Sequence, residues 1–290
     1  MLISTTLCHP GLVRDQNEDS CISNESAQLW LVADGVGGNS GGQVASQLAV
    51  QTIDRRYRQG QSLKEAILDA HQAIRTARQQ QKALQGMATT IVAVCFSGDR
   101  YELAWLGDSR AYLISRNRIQ LLSSDHNVAN ELFQKGELAA HEVFDHPGQH
   151  ELTQALGQFS LAEIPGVSGT LQTDECLLLC TDGLSGVLTD QEIFNTVRKQ
   201  ATLKQMADDF LQQVLAAGAP DNLSLTLIKR DGSQEALPSV TTVASEAKAG
   251  STNIQNQQDS TGKPRVVMNK APLTWLVLGI IFLIMLSLLI

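Results

Sequence analysis

One sequence feature constrains this chain more than any other: an apolar, strand-like run that ends in an Asp-Gly turn. Residues 29–38, LWLVADGVGG, carry Asp34 from such a run into a glycine-rich turn. The same arrangement recurs in residues 176–183, CLLLCTDG, where Asp182 follows the run. A sheet fixes the position of an aspartate at a strand end, and carboxylate oxygens are the ligands that hard divalent cations prefer. The two sites therefore predict carboxylates that converge on a metal ion.

Asp-Gly is also a common turn dipeptide, because Asp hydrogen-bonds its own backbone and Gly supplies a positive φ. Either site by itself would be interpreted as an ordinary turn. Three further acidic turns lie beside strand-like runs, in residues 17–19 (NED), 107–110 (GDSR) and 220–222 (PDN). Five separated acidic turns favour a metal centre over five unrelated turns.

The composition argues against some classes of function. The 290 residues carry a formal net charge of −8 and the sequence pI is about 5.2, so a protein that binds nucleic acid is not expected. The five cysteines include no C-x-x-C pair, and residues 1–9 lack the basic and apolar segments of a signal peptide. We therefore expect a reduced, cytosolic setting for the N-terminal part of the chain.

The C-terminal part of the sequence has a different character. Residues 273–290, LTWLVLGIIFLIMLSLLI, carry no charge, and as a helix they would rise about 27 Å, close to the thickness of a bilayer core. They predict a transmembrane tail anchor rather than a core helix. The basic residues Lys263, Arg265 and Lys270 precede the anchor and predict a domain on the cytoplasmic face of the inner membrane. Residues 231–272 are rich in Ser, Thr, Gln and Asn and predict a disordered linker.

Residues 1–230 combine short β-rich runs with capped amphipathic helices, which predicts an α+β domain. The simplest arrangement is two antiparallel sheets packed as a sandwich, with helices outside. Ser62 and Glu65 form a capping box at the start of one helix. We also expect a helix over 127–140 and a β-hairpin over 167–180.

An ordered set of motifs makes this part of the sequence resemble a known family. The motifs are VRDQNED, LVADGVGG, MATT, WLGDSR, LTQALG, LLLCTDGLSGVLTDQE and PDNLSLTLI. In order and spacing they are similar to the type 2C protein phosphatases, the metal-dependent Ser/Thr family, in their compact bacterial form. The resemblance covers about residues 1–230. It implies a β-sandwich between helical pairs and a two-metal Mg²⁺ or Mn²⁺ site in a cleft at one sandwich edge.

The resemblance assigns metal-binding roles to a set of positions: Asp19, Asp34, Gly35, Asp108, Asp182 and Asp221. Asp34 would bridge both metals, and the Gly35 carbonyl would complete one shell. Asp182 and Asp221 would bind the first metal. Asp19, with Glu18 beside it, would hold metal-bound waters, and Asp108 would contribute to a third, weaker metal site.

The resemblance also assigns supporting roles. Arg14 would bind the phosphate, Asn222 would orient Asp221, and residues 127–150 would form a mobile flap beside the cleft. Val36 stands where many eukaryotic members carry a His, which is a candidate general acid for the leaving alkoxide. The acid would then be metal-bound water or another residue, with four loop histidines available: His126, His141, His146 and His150.

The chemistry can also be argued from the residues. Hydrolysis of a phosphate monoester is among the slowest uncatalysed reactions, so the site must stabilise charge and supply a nucleophile. Two divalent ions about 4 Å apart lower the pKa of a shared water, and an arginine fork matches phosphate oxygens. A surface ion pair of Arg14 with Asp15 or Asp19 is the alternative role of that arginine.

Two rival functions deserve comparison. Residues 8–14, CHPGLVR, satisfy the C-x5-R pattern of cysteine-dependent tyrosine phosphatases, but Pro10 removes a backbone donor that such a phosphate-binding loop requires. A phosphoprotein-binding module that has lost turnover is the second rival, although all five acidic positions are present. We therefore expect a membrane-tethered, monomeric phosphatase that hydrolyses phosphoserine and phosphothreonine in proteins through a metal-bridging water. Its expected partners are phosphorylated Ser/Thr proteins and a cognate membrane Ser/Thr kinase.

Overall fold

The structure is a computed structural model that describes residues 1–37, 41–81, 84–143, 146–158, 161, 163–199 and 202–231. In chain order its strands are β1 (Leu2–His9), β2 (Ser20–Asn24), β3 (Leu29–Ala33), β4 (Gly35–Val36), β5 (Ala88–Thr89), β6 (Ile91–Ser97), β7 (Arg100–Leu106), β8 (Arg110–Ile114), β9 (Ile119–Leu121), β10 (Gly166–Thr170), β11 (Cys176–Cys180) and β12 (Leu223–Arg230). Its α-helices are α1 (Gly41–Arg58), α2 (Leu63–Gln80), α3 (Val128–Gln134), α4 (Asp182–Ser185), α5 (Asp190–Arg198) and α6 (Leu203–Ala216). A short 3₁₀ helix spans Pro147–His150.

Two five-stranded antiparallel sheets form the centre of the domain. The first has the strand order β1-β12-β11-β8-β9, and the second has the order β10-β7-β6-β3-β2. A two-stranded ladder joins β4 to β5. The α+β prediction with antiparallel sheets is therefore confirmed.

Three apolar clusters account for the layers. Trp30, Val92 and Leu177 belong to a cluster in which strands of both sheets contribute buried residues. A second cluster joins α1 and α2 to one sheet, with Ile53 and Ile67 buried. The third joins α5 and α6 to the other sheet, where Phe210 is buried. Each sheet thus has one face toward the other sheet and one face covered by helices, as expected from strands that are apolar on both sides.

The helix starts follow the sequence closely. Ser62 and Glu65 form the predicted capping box at α2, with each side chain bonded to the other residue's backbone N–H. The same reciprocal pair opens α5, at Thr189 and Glu192. Such caps satisfy backbone N–H groups that have no partner within the helix.

Two of the element predictions are wrong. The predicted hairpin over 167–180 does not form, because β10 pairs with β7 in one sheet while β11 pairs with β8 and β12 in the other. Leu171 lies between the two sheets, and its N–H donates to the Asp99 carbonyl. The predicted helix over 127–140 ends at Gln134, because Gly136 adopts a positive φ of 74° and terminates it.

The predicted linker and the predicted transmembrane anchor at 273–290 lie outside the described residues, apart from Asp231. Within the part of the chain that the structure describes, no helix has the length and apolarity needed to span a membrane.

Candidate metal centre

The topology brings the acidic turns to one end of the sandwich. Asp34 follows β3 and Asp182 follows β11, whereas Asp221 precedes β12. Because β11 and β12 are antiparallel neighbours, the end of one lies beside the start of the other. Asp108 lies in the turn between β7 and β8, and Asp19 directly precedes β2.

The two Asp-Gly glycines are required by close packing and not by a positive φ. Neither Gly35 nor Gly183 has a positive φ. A Cβ on Gly183 would lie 1.8 Å from the carbonyl oxygen of Asn222, and one on Gly35 would lie 2.1 Å from that of Gly42. The expectation that these glycines supply a positive φ is therefore wrong. Each one lets a second backbone segment approach the aspartate that precedes it.

The carboxylates lie close enough together to perturb one another. Burial raises the pKa of Asp34 well above its usual value, and four neighbouring carboxylates raise it further, those of Asp19, Asp182, Asp108 and Asp221. This mutual influence shows that the predicted acidic residues converge. Like charges that face one another favour protonation, unless a cation compensates them.

Asp19 and Asp108 are the most deeply placed members of the cluster. Their exposed fractions are 6% and 8%. Burial is the main cause that raises the pKa of each to about 8. The hydroxyl of Thr181 donates to Asp19 Oδ2 at 3.0 Å, which opposes part of that rise. Both carboxyl groups are therefore held in an environment that disfavours uncompensated negative charge.

Arg14 lies at the mouth of this cluster. Its Nη2 donates to Asp221 Oδ2 at 2.7 Å, and its side chain is 55% exposed. The pairing raises the Arg14 pKa, with smaller contributions from Asp34 and Asp182. The alternative of an ion pair with Asp15 or Asp19 is not what the structure shows. The guanidinium instead lies beside the carboxylates and keeps part of its surface in solvent.

Asn222 ties the Arg14 loop to the start of β12. Its Nδ2 donates to the carbonyls of Pro10 and Gln16, at 2.8 and 3.0 Å. Its Oδ1 accepts from the Glu18 N–H at 2.8 Å. The contact with Asp221 comes from the Asn222 backbone N–H, which donates to Asp221 Oδ1 at 2.8 Å. The side chain therefore positions the loop, while the backbone orients the carboxylate.

Glu18 contributes through its backbone as well. Its carbonyl accepts from the Gly35 N–H at 3.2 Å and from the Ser46 hydroxyl at 2.5 Å. These bonds hold the residue before Asp19 against the residue after Asp34. The acidic pair predicted at 18–19 is thus fixed to the Asp-Gly turn.

Sequence reasoning missed the polar residues that support the aspartates. Thr90 Oγ1 accepts from the Asp34 N–H at 2.9 Å and lies 2.7 Å from the Ser109 hydroxyl. Thr89 Oγ1 donates to the Asp34 carbonyl at 2.8 Å. The motifs MATT and WLGDSR contain these residues, but Asp34, which they support, is distant in sequence.

The four loop histidines lie in different environments. Nδ1 of His126 accepts from the Gly107 N–H, and burial lowers the His126 pKa. Nδ1 of His146 caps the short 3₁₀ helix. Of the four, His150 alone lies near a cluster carboxylate, with Nδ1 3.8 Å from Asp182 Oδ2, and this contact raises its pKa.

The donor set fits Mn²⁺ or Mg²⁺. The oxygens Asp19 Oδ1 and Asp182 Oδ1 are buried and have no hydrogen-bond partner among the described residues. All the converging side chains are carboxylates, which suit hard cations. As placed, the described residues contain no group of three or more His, Cys, Asp or Glu side chains at coordination spacing. The fit therefore rests on donor chemistry, burial and unsatisfied oxygens.

Comparison with known proteins identifies the family. The model of the family described as Protein phosphatase 2C matches residues 13–227. The serine/threonine phosphatase stp of Listeria monocytogenes is 30% identical over 238 residues, which cover 78% of this chain and 94% of that protein. The chain belongs to the protein phosphatase 2C family, and it is accordingly a metal-dependent protein Ser/Thr phosphatase.

Solved structures agree with this assignment. The Mycobacterium tuberculosis serine/threonine phosphatase PstP/Ppp superposes with a TM-score of 0.74 at 28% identity, over 79% of this chain and 99% of that one. The catalytic domain of the phosphatase PstP in complex with two manganese ions gives a TM-score of 0.71 at 28% identity. It covers 79% of this chain and 97% of the PstP chain. The predicted cofactor, Mn²⁺ or Mg²⁺, agrees with that manganese-bound relative.

Proposed function

We propose that this protein hydrolyses phosphoserine and phosphothreonine in proteins at a two-metal centre formed by Asp19, Asp34, Gly35, Asp182 and Asp221. The observation that carries the proposal is the convergence of five aspartates, in which burial and then the four neighbouring carboxylates raise the pKa of Asp34. The manganese-bound PstP domain supports the choice of metal. When bound, two divalent ions supply a hydroxide nucleophile at neutral pH and stabilise negative charge on phosphate oxygens. Asp108 is the residue that we assign to a third, weaker ion.

The chain's own residues bind the phosphate, hold the binding loop in place and protonate the leaving group. Arg14 has a planar guanidinium that matches two phosphate oxygens, and it lies beside the cluster with its side chain 55% exposed. Asn222 keeps the Arg14 loop in place through two backbone carbonyls. We assign leaving-group protonation to His150, because of the four loop histidines it is the one whose ring contacts a cluster carboxylate, with Nδ1 3.8 Å from Asp182 Oδ2.

Turnover of a phosphothreonine peptide with Mn²⁺, with and without chelator, tests this function. Asp34→Asn and Asp182→Asn should each reduce turnover by orders of magnitude, because each removes an anionic oxygen from the centre. Asp15→Asn is the matched control, since Asp15 is exposed and outside the cluster. Turnover that survives chelation, or a near-normal rate in either cluster variant, would contradict the proposal. A wild-type protein that stays inert with metal would favour a phosphoprotein-binding role.

We further propose that residues 273–290 anchor the enzyme to the inner membrane, with the domain on the cytoplasmic side. The uncharged apolar sequence and the preceding basic residues support this. A membrane Ser/Thr kinase would then be a partner whose phosphorylation the enzyme reverses. Deletion of 272–290 should move the protein from the membrane pellet to the supernatant. A truncated protein that still sediments with membranes would refute the anchor.

A further inference from the structure

A basic pocket lies at the C-terminal end of α2, outside the carboxylate cluster. It has a volume of about 460 Å³ and is lined by Arg75, Arg78, Gln79, Gln85 and Gly157. None of these residues is acidic. The sequence around the pocket also lacks acidic residues: residues 70–98 contain no Asp or Glu, although the whole chain carries a net charge of −8. The pocket therefore presents positive charge and amide donors without a neutralising carboxylate of its own segment.

The two arginines are placed to act together. Arg75 and Arg78 are three residues apart on α2, so they lie on the same face of the helix. Arg78 Nη1 donates to the Gly157 carbonyl, which holds this guanidinium against the pocket wall. Arg75 forms no ion pair with a described residue. A pair of guanidinium groups at one pocket is suited to an oxyanion.

Backbone pairing links one wall of the pocket to the Asp34-Gly35 turn. Gly35 pairs with Thr89 across the β4–β5 ladder, and Thr89 exchanges two backbone hydrogen bonds with Leu156. Two strand spacings place Leu156, and with it Gly157, about 10 Å from Gly35. An extended peptide covers that span in about three residues, and in polyproline II geometry side chains three residues apart point the same way.

We propose that this pocket binds a second oxyanion of the phosphoprotein substrate, a phosphoryl or carboxylate group about three residues from the phosphoresidue that is hydrolysed. The proposal rests on the proposed function, since it assigns sequence selectivity to the same reaction. Arg75 and Arg78 would bind this group while the residue to be hydrolysed occupies the centre beside Asp34. Selectivity would then come from binding, because the pocket does not touch the reacting phosphate.

The test uses phosphothreonine peptides that differ only three residues from the phosphoresidue. One peptide carries Gln there, one carries Glu and one carries a non-hydrolysable phosphonate, on each side of the phosphothreonine. We expect kcat/KM to be about tenfold higher for the anionic peptides than for the Gln peptide, as for a charge-assisted contact. The Glu and phosphonate peptides show which oxyanion is preferred.

Arg75→Gln, alone and with Arg78→Gln, should abolish this preference without changing turnover of the Gln peptide or of p-nitrophenyl phosphate. The single variant keeps the bond of Arg78 to Gly157. The matched control is Arg198→Gln, because Arg198 lines a separate basic pocket with Arg116 and Lys229, at the other end of the sheet that carries Asp182. Equal kcat/KM for all peptides, or equal losses in all three variants, would overturn the inference. A wild-type enzyme that hydrolyses none of the peptides would instead overturn the proposed function.

Discussion

Asp19→Asn should change the stability of the chelated protein in a way that depends on pH. Burial raises the Asp19 pKa from 3.8 to about 8 in the folded protein. The folded state therefore binds more protons than the unfolded state between these values, and stability falls as pH rises through this window. Asn has the same shape, cannot ionise and can still accept the hydrogen bond from Thr181.

The size of the effect follows from the two pKa values. Relative to a residue that does not titrate, the raised pKa lowers the free energy of unfolding of the wild type by about 2 kcal/mol at about pH 5. At about pH 7.5 it lowers that free energy by about 5 kcal/mol. The variant should therefore gain about 3 kcal/mol of relative stability over this range, as an upper bound. For a domain of this size that corresponds to about 6–12 °C in Tm.

Thermal unfolding in chelator across this pH range measures the difference between the two proteins. Asp15→Asn serves as the control, because its exposed side chain lies outside the cluster. With excess Mn²⁺ the order should reverse, because wild type would bind the ion more tightly and binding to the folded state stabilises it. Parallel Tm curves for wild type and Asp19→Asn in chelator would refute the reasoning.

Two further variants test the supports of the site. Asn222→Ala removes three side-chain hydrogen bonds and should lower the free energy of unfolding, measured by denaturant titration, by about 3 kcal/mol. It should also raise KM for a phosphopeptide in steady-state kinetics, because the Arg14 loop loses its anchor. An unchanged KM would show that the loop does not need this anchor. Gly183→Ala places a methyl group 1.8 Å from the Asn222 carbonyl oxygen and should cost about 3 kcal/mol, measured in the same titration. Gly60→Ala is its control, because no atom lies within 4 Å of the added Cβ and only a strain of about 1 kcal/mol is expected from its positive φ; equal losses would contradict the packing argument.

Local signals in the sequence are sufficient to predict several helix starts and strand ends of the fold. The capping boxes at Ser62 and Thr189 are satisfied within four residues, so no tertiary contact is needed to predict where α2 and α5 begin. The positions of Asp34 and Asp182 at strand ends were likewise readable, because an apolar run followed by Asp-Gly is a local pattern. Their roles as metal ligands remain predictions.

Most of the failures have a common physical cause, which is pairing at long range; the early end of α3 is the exception, because the nearby Gly136 terminates that helix. The strands β10 and β11 are close in sequence but belong to different sheets, because β10 pairs with β7 while β11 pairs with β8 and β12. The local sequence at Gly183 favours a turn with a positive φ, because it gives no indication that the Asn222 carbonyl packs against this glycine. Thr90 was missed for the same reason, since its partner Asp34 is 56 residues away.

The stacking of the two sheets has a consequence for when the enzyme becomes active. Asp34 leaves a strand of one sheet, whereas Asp182 and Asp221 flank strands of the other. In the proposed centre neither sheet alone supplies all the ligands, so we expect hydrolysis only after the two sheets have packed together. We therefore expect the appearance of activity during refolding to coincide with the packing of both sheets and not with the formation of either one.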